Sequence, residues 1–186
     1  MKKAVIIGII IAVIILAKIF LSASKNKTPT PLTQNSTQSM LISSPSFDNN
    51  TKIPPKFTCD GGNINPELQI HNVPPEAKSL AIIMDDPDAP SGTFTHWLVW
   101  NINPQTEVIK QESIPPGSIE GKNSAGKIGY TGPCPPDGKL HRYFFKLYAL
   151  NNSIIETENI RDKADLESVI DKLLIEKTEL VGIYDR

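Results

Sequence analysis

Met84 to Ile102, MDDPDAPSGTFTHWLVWNI, and Gly132 to Leu150, GPCPPDGKLHRYFFKLYAL, decide how this chain reads. Each couples a proline-rich loop to a histidine that opens a run of aromatic and β-branched residues, the pattern of a loop handing over to a strand. His96 and His141 are two of only three histidines in the chain. On strand alternation His96, Leu98, Trp100 and Ile102 share one face, and His141, Tyr143, Phe145, Leu147 and Ala149 share another. If those faces adjoin, the two imidazoles meet at one end of a sheet.

Working outward, Ser79 to Met84 (SLAIIM) is apolar at both parities and reads as a central strand covered on both faces. Further strands are expected over Leu68 to Val73, Thr95 to Asn101, Arg142 to Leu150 and Glu179 to Tyr184. Pro115 to Gly132 is a long glycine- and proline-rich excursion, a kind of segment usually functional or mobile. Asp162 is positioned to cap a helix carrying Leu166, Val169, Ile170, Leu173 and Leu174 at helical spacing. With 16 prolines against 11 glycines, the composition leans to a mainly β, loop-rich domain.

The first residues read differently. Met1-Lys-Lys precedes fourteen uncharged residues, Ala4 to Ala17, and after Lys18 the apolar character resumes at Ile19-Phe20-Leu21. As a helix, Ala4 to Leu21 spans about 27 Å, close to a bilayer's hydrocarbon thickness, so residues 1–21 are expected to be a transmembrane anchor. Ser22-Ala23-Ser24 offers a cleavage site for the alternative, a signal segment. Residues 22–40 are too poor in apolar side chains to order themselves and read as a tether of about 23 Å r.m.s. reach. The folded domain then occupies residues 41–186, and is expected outside the cytoplasm, membrane-anchored or secreted.

A net charge of −1 and a pI of about 6.3, with Lys and Arg dispersed, carry no electrostatic footprint for nucleic acid. The candidate chemistry lies beside the two loops: Asp85, Asp86, Asp88, His96, His141 and Tyr143, with Gly132 as a place where a ligand approaches the backbone closely. In the first of three readings, imidazoles, the Tyr143 hydroxyl and loop N–H groups donate to a phosphate or carboxylate. A metal site built from two His and one or two Asp is the second, and it lacks any tightly spaced ligand motif. The third is a hydrolase using Ser91 or Ser124, without a G-x-S-x-G elbow to expose the nucleophile. Plainer roles stand beside these: a turn at Asp86 to Pro90, and Arg142 neutralising Asp88 or Asp85.

Taken jointly, DDPDAP with HWLVWNI and GYTGPCPP with GKLHRYFFKLYAL, flanked by FTCDGGNINPEL and VGIYDR, resemble the phosphatidylethanolamine-binding protein family over Ser43 to Arg186, in its bacterial and archaeal Raf-kinase-inhibitor-like branch. The resemblance implies a mainly β fold, a large antiparallel, sandwich-like sheet with few short helices, bearing one small pocket for phosphate-like anions. By position, Asp86, Pro87, Asp88 and His96 match the first motif's pocket residues, and Gly132, Pro133, Pro135, His141 and Tyr143 the second's. It implies a binding module for a small phosphorylated or anionic ligand, with no cofactor or metal and no catalytic role. A protein partner, a protease or a kinase engaged through surface loops, is the alternative. Weak hydrolysis with Asp86 and His141 as acid and base is a third possibility. Cys59 and Cys134 are the only cysteines and are expected to be bonded if the domain is exported.

Overall fold

The structure, a computed structural model, describes residues 38–186 except Asp137 and Glu156. The anchor or signal segment and most of the tether fall on residues 1–37, outside the described residues. Among the described residues no helix is long and apolar enough to cross a membrane. Gln38–Arg186 forms one compact unit, and its second and third residues already serve it. Asn72 Nδ2 donates to the Ser39 carbonyl, and Met40 is buried.

Among the described residues nine strands make two sheets. They are β1 (Leu41–Ser43), β2 (Thr51–Lys52), β3 (Leu68–His71), β4 (Ser79–Asp86), β5 (Phe94–Ile102), β6 (Val108–Ile109), β7 (Ile119–Glu120), β8 (His141–Leu150) and β9 (Leu174–Tyr184). The small sheet has the order β1-β3-β6 and the large one β2-β9-β8-β4-β5-β7. Neighbours pair antiparallel except β2, which runs parallel to β9, so the large sheet is mixed at one edge. That departure from the expected all-antiparallel sheet rests on two residues.

All eight residues of β4 are buried, as its two-parity apolar run requires of a central strand. One face of the large sheet packs Leu80, Ile82, Met84, Trp97, Tyr143, Phe145 and Leu147 against Ile42, Leu68 and Ile70 of the small sheet. The other face packs Ala81, Ile83, Leu98 and Trp100 against Leu166 and Ile170 of the helix α1 (Lys163–Leu173). Asp162 caps α1 by accepting from the Asp165 N–H. Leu174, expected as the helix's last apolar position, instead opens β9 and is 42% exposed. Two 3-10 turns, Pro55–Phe57 and Thr157–Asn159, complete the regular structure.

Strand β5 does not keep the expected alternation, because its register against β4 slips twice. Ile82 opposes Val99 and Leu80 opposes Ile102, leaving two residues of β5, Trp100 and Asn101, facing Ala81 alone, with Asn101 at φ 57°. Ile102 therefore joins the face of Leu80 and Ile82, away from Leu98 and Trp100. At the other end Met84 opposes Trp97 and Asp85 opposes Thr95, so His96 is the extra residue of a bulge.

Candidate functional site

Chain alternation sends the neighbours Asp85 and Asp86 to opposite faces of β4. Asp85, 1% exposed, receives Lys146 Nζ and Lys163 Nζ, each at 2.8 Å, on the α1 side. Arg142 is thus not its partner. Asp86 turns toward the loops, where its Oδ2 lies 2.7 Å from His141 Nδ1 and its Oδ1 accepts the Asp88 N–H at 2.8 Å. Both side chains of the Asp86–His141 pair are about 5% exposed or less. A carboxylate at Nδ1 fixes the ring and leaves Nε2 as its working nitrogen.

The bulge supplies the second imidazole. Strict alternation puts His96 with Leu98, on the α1 side; the extra residue brings it to the side of Trp97, where it meets Tyr143 edge-on at 5.2 Å. His96 Nδ1 lies 2.6 Å from the Thr131 carbonyl, and the Thr131 N–H returns a bond to the His96 carbonyl at 3.0 Å. A carbonyl only accepts, so this ring carries its proton on Nδ1. Burial pushes the His96 imidazole below its ordinary value, against the opposing pull of Thr131, Asp86 and Asp85. It is the neutral form that the site favours.

Asp86, His96 and His141 line one cavity of about 250 Å3, walled by Phe94, Ala89, Pro90, Pro135 and Pro136, with Thr131, Gly132 and Cys134 along its loop side. Neither imidazole Nε2 has a partner among the described residues. Nor is either among the unpartnered side-chain atoms sealed from solvent, which are Trp100 Nε1 and the Tyr143 hydroxyl, so both Nε2 atoms open on the cavity. A larger cavity, about 530 Å3, lies around His71 and Pro104 to Val108, and none of its polar lining residues is buried.

Four of the residues carried over from the family pattern stand outside the cavity wall. Asp88 engages Arg142 through the backbone N–H, Nε and Nη2 at 2.7–3.0 Å, and this guanidinium holds its carboxyl down to about 2. Pro87 is exposed, and Pro133 is buried with its carbonyl accepting the Cys59 N–H. Tyr143 lies beneath the two imidazoles; burial, then the Asp86 charge, keep its phenol protonated well above the ordinary range. Gly132 does line the cavity, yet a Cβ there meets the Phe57 carbonyl at 2.5 Å and Asn63 Oδ1 at 2.9 Å. Its glycine is thus required for packing on the 57–63 turn, and its N–H is spent on Asn63 Oδ1 at 2.7 Å. Ser91 does not line the cavity, and Ser124 Oγ accepts the Thr95 N–H. Among the described residues no group of three or more His, Cys, Asp or Glu is arranged to hold a metal ion.

Sequence reasoning missed Thr131, Phe94, Ala89, Pro90 and Pro136. It also missed Asn123, the buried residue that shapes the approach to Thr131. Its Nδ2 donates to the Gly129 carbonyl and to Thr131 Oγ1, both at 2.9 Å, and its Oδ1 accepts from Ala125 N and Lys127 N. A short β-bridge, Lys122 with Ile128, closes the same turn. The glycine-rich excursion is a held structure at this end. Beyond it, Cys134 is bonded to Cys59, a link between the cavity loop and the turn that also carries Asn63.

The model of the phosphatidylethanolamine-binding protein family matches residues 43–185. The chain belongs to that family. Within it, the chain is similar to a UPF0098 protein of Methanothermobacter thermautotrophicus, 42% identical over 79% of this chain and 99% of the relative. Among solved structures it is similar to a putative family homolog from Chlamydia trachomatis, at 37% identity, TM-score 0.75, and coverage of 80% of this chain and 98% of the other. It is also similar to YbcL of E. coli, at 27% identity, TM-score 0.73, and coverage of 80% and 99%. The fold described above is thus shared with solved structures of the family.

Proposed function

We propose that the cavity binds a small anionic or phosphorylated group and that the protein acts as a binding module, without turnover. The observation that carries this reading is the buried Asp86–His141 pair, which presents Nε2 to a cavity shared with His96. A protonated His141 offers a charge-assisted donor to an oxyanion, while Asp86 holds the ring in place. Rigid walls supplied by Pro90, Pro135 and Pro136, and a loop anchored through Asn63 and Cys59, leave little ordering entropy for a ligand to offset. Against catalysis, the serines once considered as nucleophiles are away from the wall, and the one sulfur lining it is in a disulfide.

The reading extends to location. Cys59 and Cys134 are both exposed, and an exposed disulfide persists in an oxidising compartment, which supports a domain displayed outside the cytoplasm by residues 1–21. Calorimetric titration of the full chain with inorganic phosphate, after exhaustive removal of buffer anions, tests the binding. Saturable binding that is lost in His141→Ala, with circular dichroism unchanged, is the expected result. Silence in the wild type refutes the reading.

A further inference from the structure

We infer that the cavity selects oxyanions that bring their own hydrogen-bond donor beside the charged oxygen, above all a protonated phosphate group, and that His96 sets this selection. The inference rests on the anion-binding reading and deepens it. Its basis is the inventory of donors and acceptors along the wall. The Thr131 carbonyl, 2.6 Å from Nδ1, takes the one proton of a neutral His96 ring, so the Nε2 that opens on the cavity is a lone pair and not an N–H. Both oxygens of Asp86 are already engaged, one by His141 and one by the Asp88 N–H, and they add a negative charge nearby. The Gly132 N–H, a natural anion donor in a loop of this kind, is committed to Asn63.

Of the two imidazoles, an oxyanion seated here thus meets a donor at His141 when that ring is protonated, and a bare acceptor at His96. Sulfate, without a proton at neutral pH, sets an oxygen lone pair against that of His96 Nε2. Phosphate carries a P–OH that donates to it, and so does a phosphate monoester in its monoanionic form. A buried acceptor left without a donor costs roughly 1–3 kcal/mol, about a five- to 150-fold preference between two oxyanions of equal shape.

His96 is faced by Asp85 and Asp86 from β4, by His141 and Tyr143 from β8, and by the Thr131 carbonyl from the loop. Burial outweighs the pull of the Thr131 carbonyl and the two carboxylates and lowers the ring below its ordinary value. Acid that does protonate it turns Nε2 into a donor, and the discrimination against sulfate falls away.

The test uses the full chain, titrated calorimetrically with inorganic phosphate and with sulfate at pH 7 and pH 5, and ¹⁵N-labelled chain to read the imidazole tautomers. Phosphate is expected to bind about tenfold or more tightly than sulfate at pH 7, the ratio narrowing toward pH 5. His96 is expected to carry its proton on Nδ1. In His96→Phe, which keeps an aromatic ring but removes the lone pair, the ratio is expected to shrink to about threefold or less. If that variant does not fold, the wild-type ratio and tautomer decide. Equal affinity for the two oxyanions, or a proton on His96 Nε2 at pH 7, overturns this inference and leaves the anion reading standing. Binding of neither overturns both.

Discussion

Asp86 and Asp88, two residues apart in the chain, face different partners. Asp86 orients His141 inside the cavity, and Asp88 closes the outside of the same turn by gripping Arg142. Because Arg142 holds the Asp88 carboxyl at about 2, below its ordinary 3.8, the folded state binds this proton less readily than the unfolded chain. The stabilisation is therefore complete above about pH 4 and is lost as pH falls toward about 2. In urea denaturation followed from pH 5 to pH 2, Asp88→Asn is expected to show a shallower loss of stability than wild type, while binding of phosphate at pH 7 changes little. At this scale the sequence displays charged and aromatic side chains but not backbone carbonyls. Asp86, His96 and His141 were therefore readable as cavity residues, whereas Thr131, which contributes its C=O, was not.

Among elements, the bulge in β5 and the turn around Asn123 place His96 and its partner. Asn123→Ala removes four hydrogen bonds and takes the donor from the buried Gly129 carbonyl, so a cost of about 1–3 kcal/mol is expected. Faster amide exchange over residues 121–131 and weaker phosphate binding accompany it if the turn positions Thr131. Gly132→Ala must push the chain away from the Phe57 carbonyl; a cost of about 1–3 kcal/mol in chemical denaturation is expected, since the neighbouring atom is backbone. β5, β8 and the second half of β9 were legible because six or more residues establish a period, and β4 because its run is apolar at both parities. The start of β9, at Leu174, falls instead at helical spacing and reads as helix. β2, β6 and β7 have two residues each, too few to show one, and exist because longer neighbours offer them an edge. The face assignment of β5 failed for a related reason: a bulge adds one residue without marking it in the side-chain pattern, as the reassignment of Ile102 shows.

For the whole molecule, the Cys59–Cys134 bond closes a sequence separation of 75 residues and ties the cavity loop to the turn at residues 57–63. On chain-entropy grounds its removal costs about 4 kcal/mol, a drop in Tm on the order of 10 °C. Calorimetric scans of the Cys59→Ser, Cys134→Ser double variant measure this. The Cys59 N–H to Pro133, Gly132 N–H to Asn63 and Tyr130 hydroxyl to Phe57 bonds hold the same two segments together, so the loop is expected to keep its place and phosphate affinity to fall by less than about threefold.

The opposite aim of Asp85 and Asp86 has a consequence for descent. One aspartate fastens the helix to the back of the sheet through Lys146 and Lys163, and its neighbour orients His141 in the cavity, where the proposed ligand binds. A duplicated copy that gave up binding is free to lose Asp86 while it must still keep Asp85, so a lineage in which the second aspartate has drifted and the first has not marks the abandonment of the ligand.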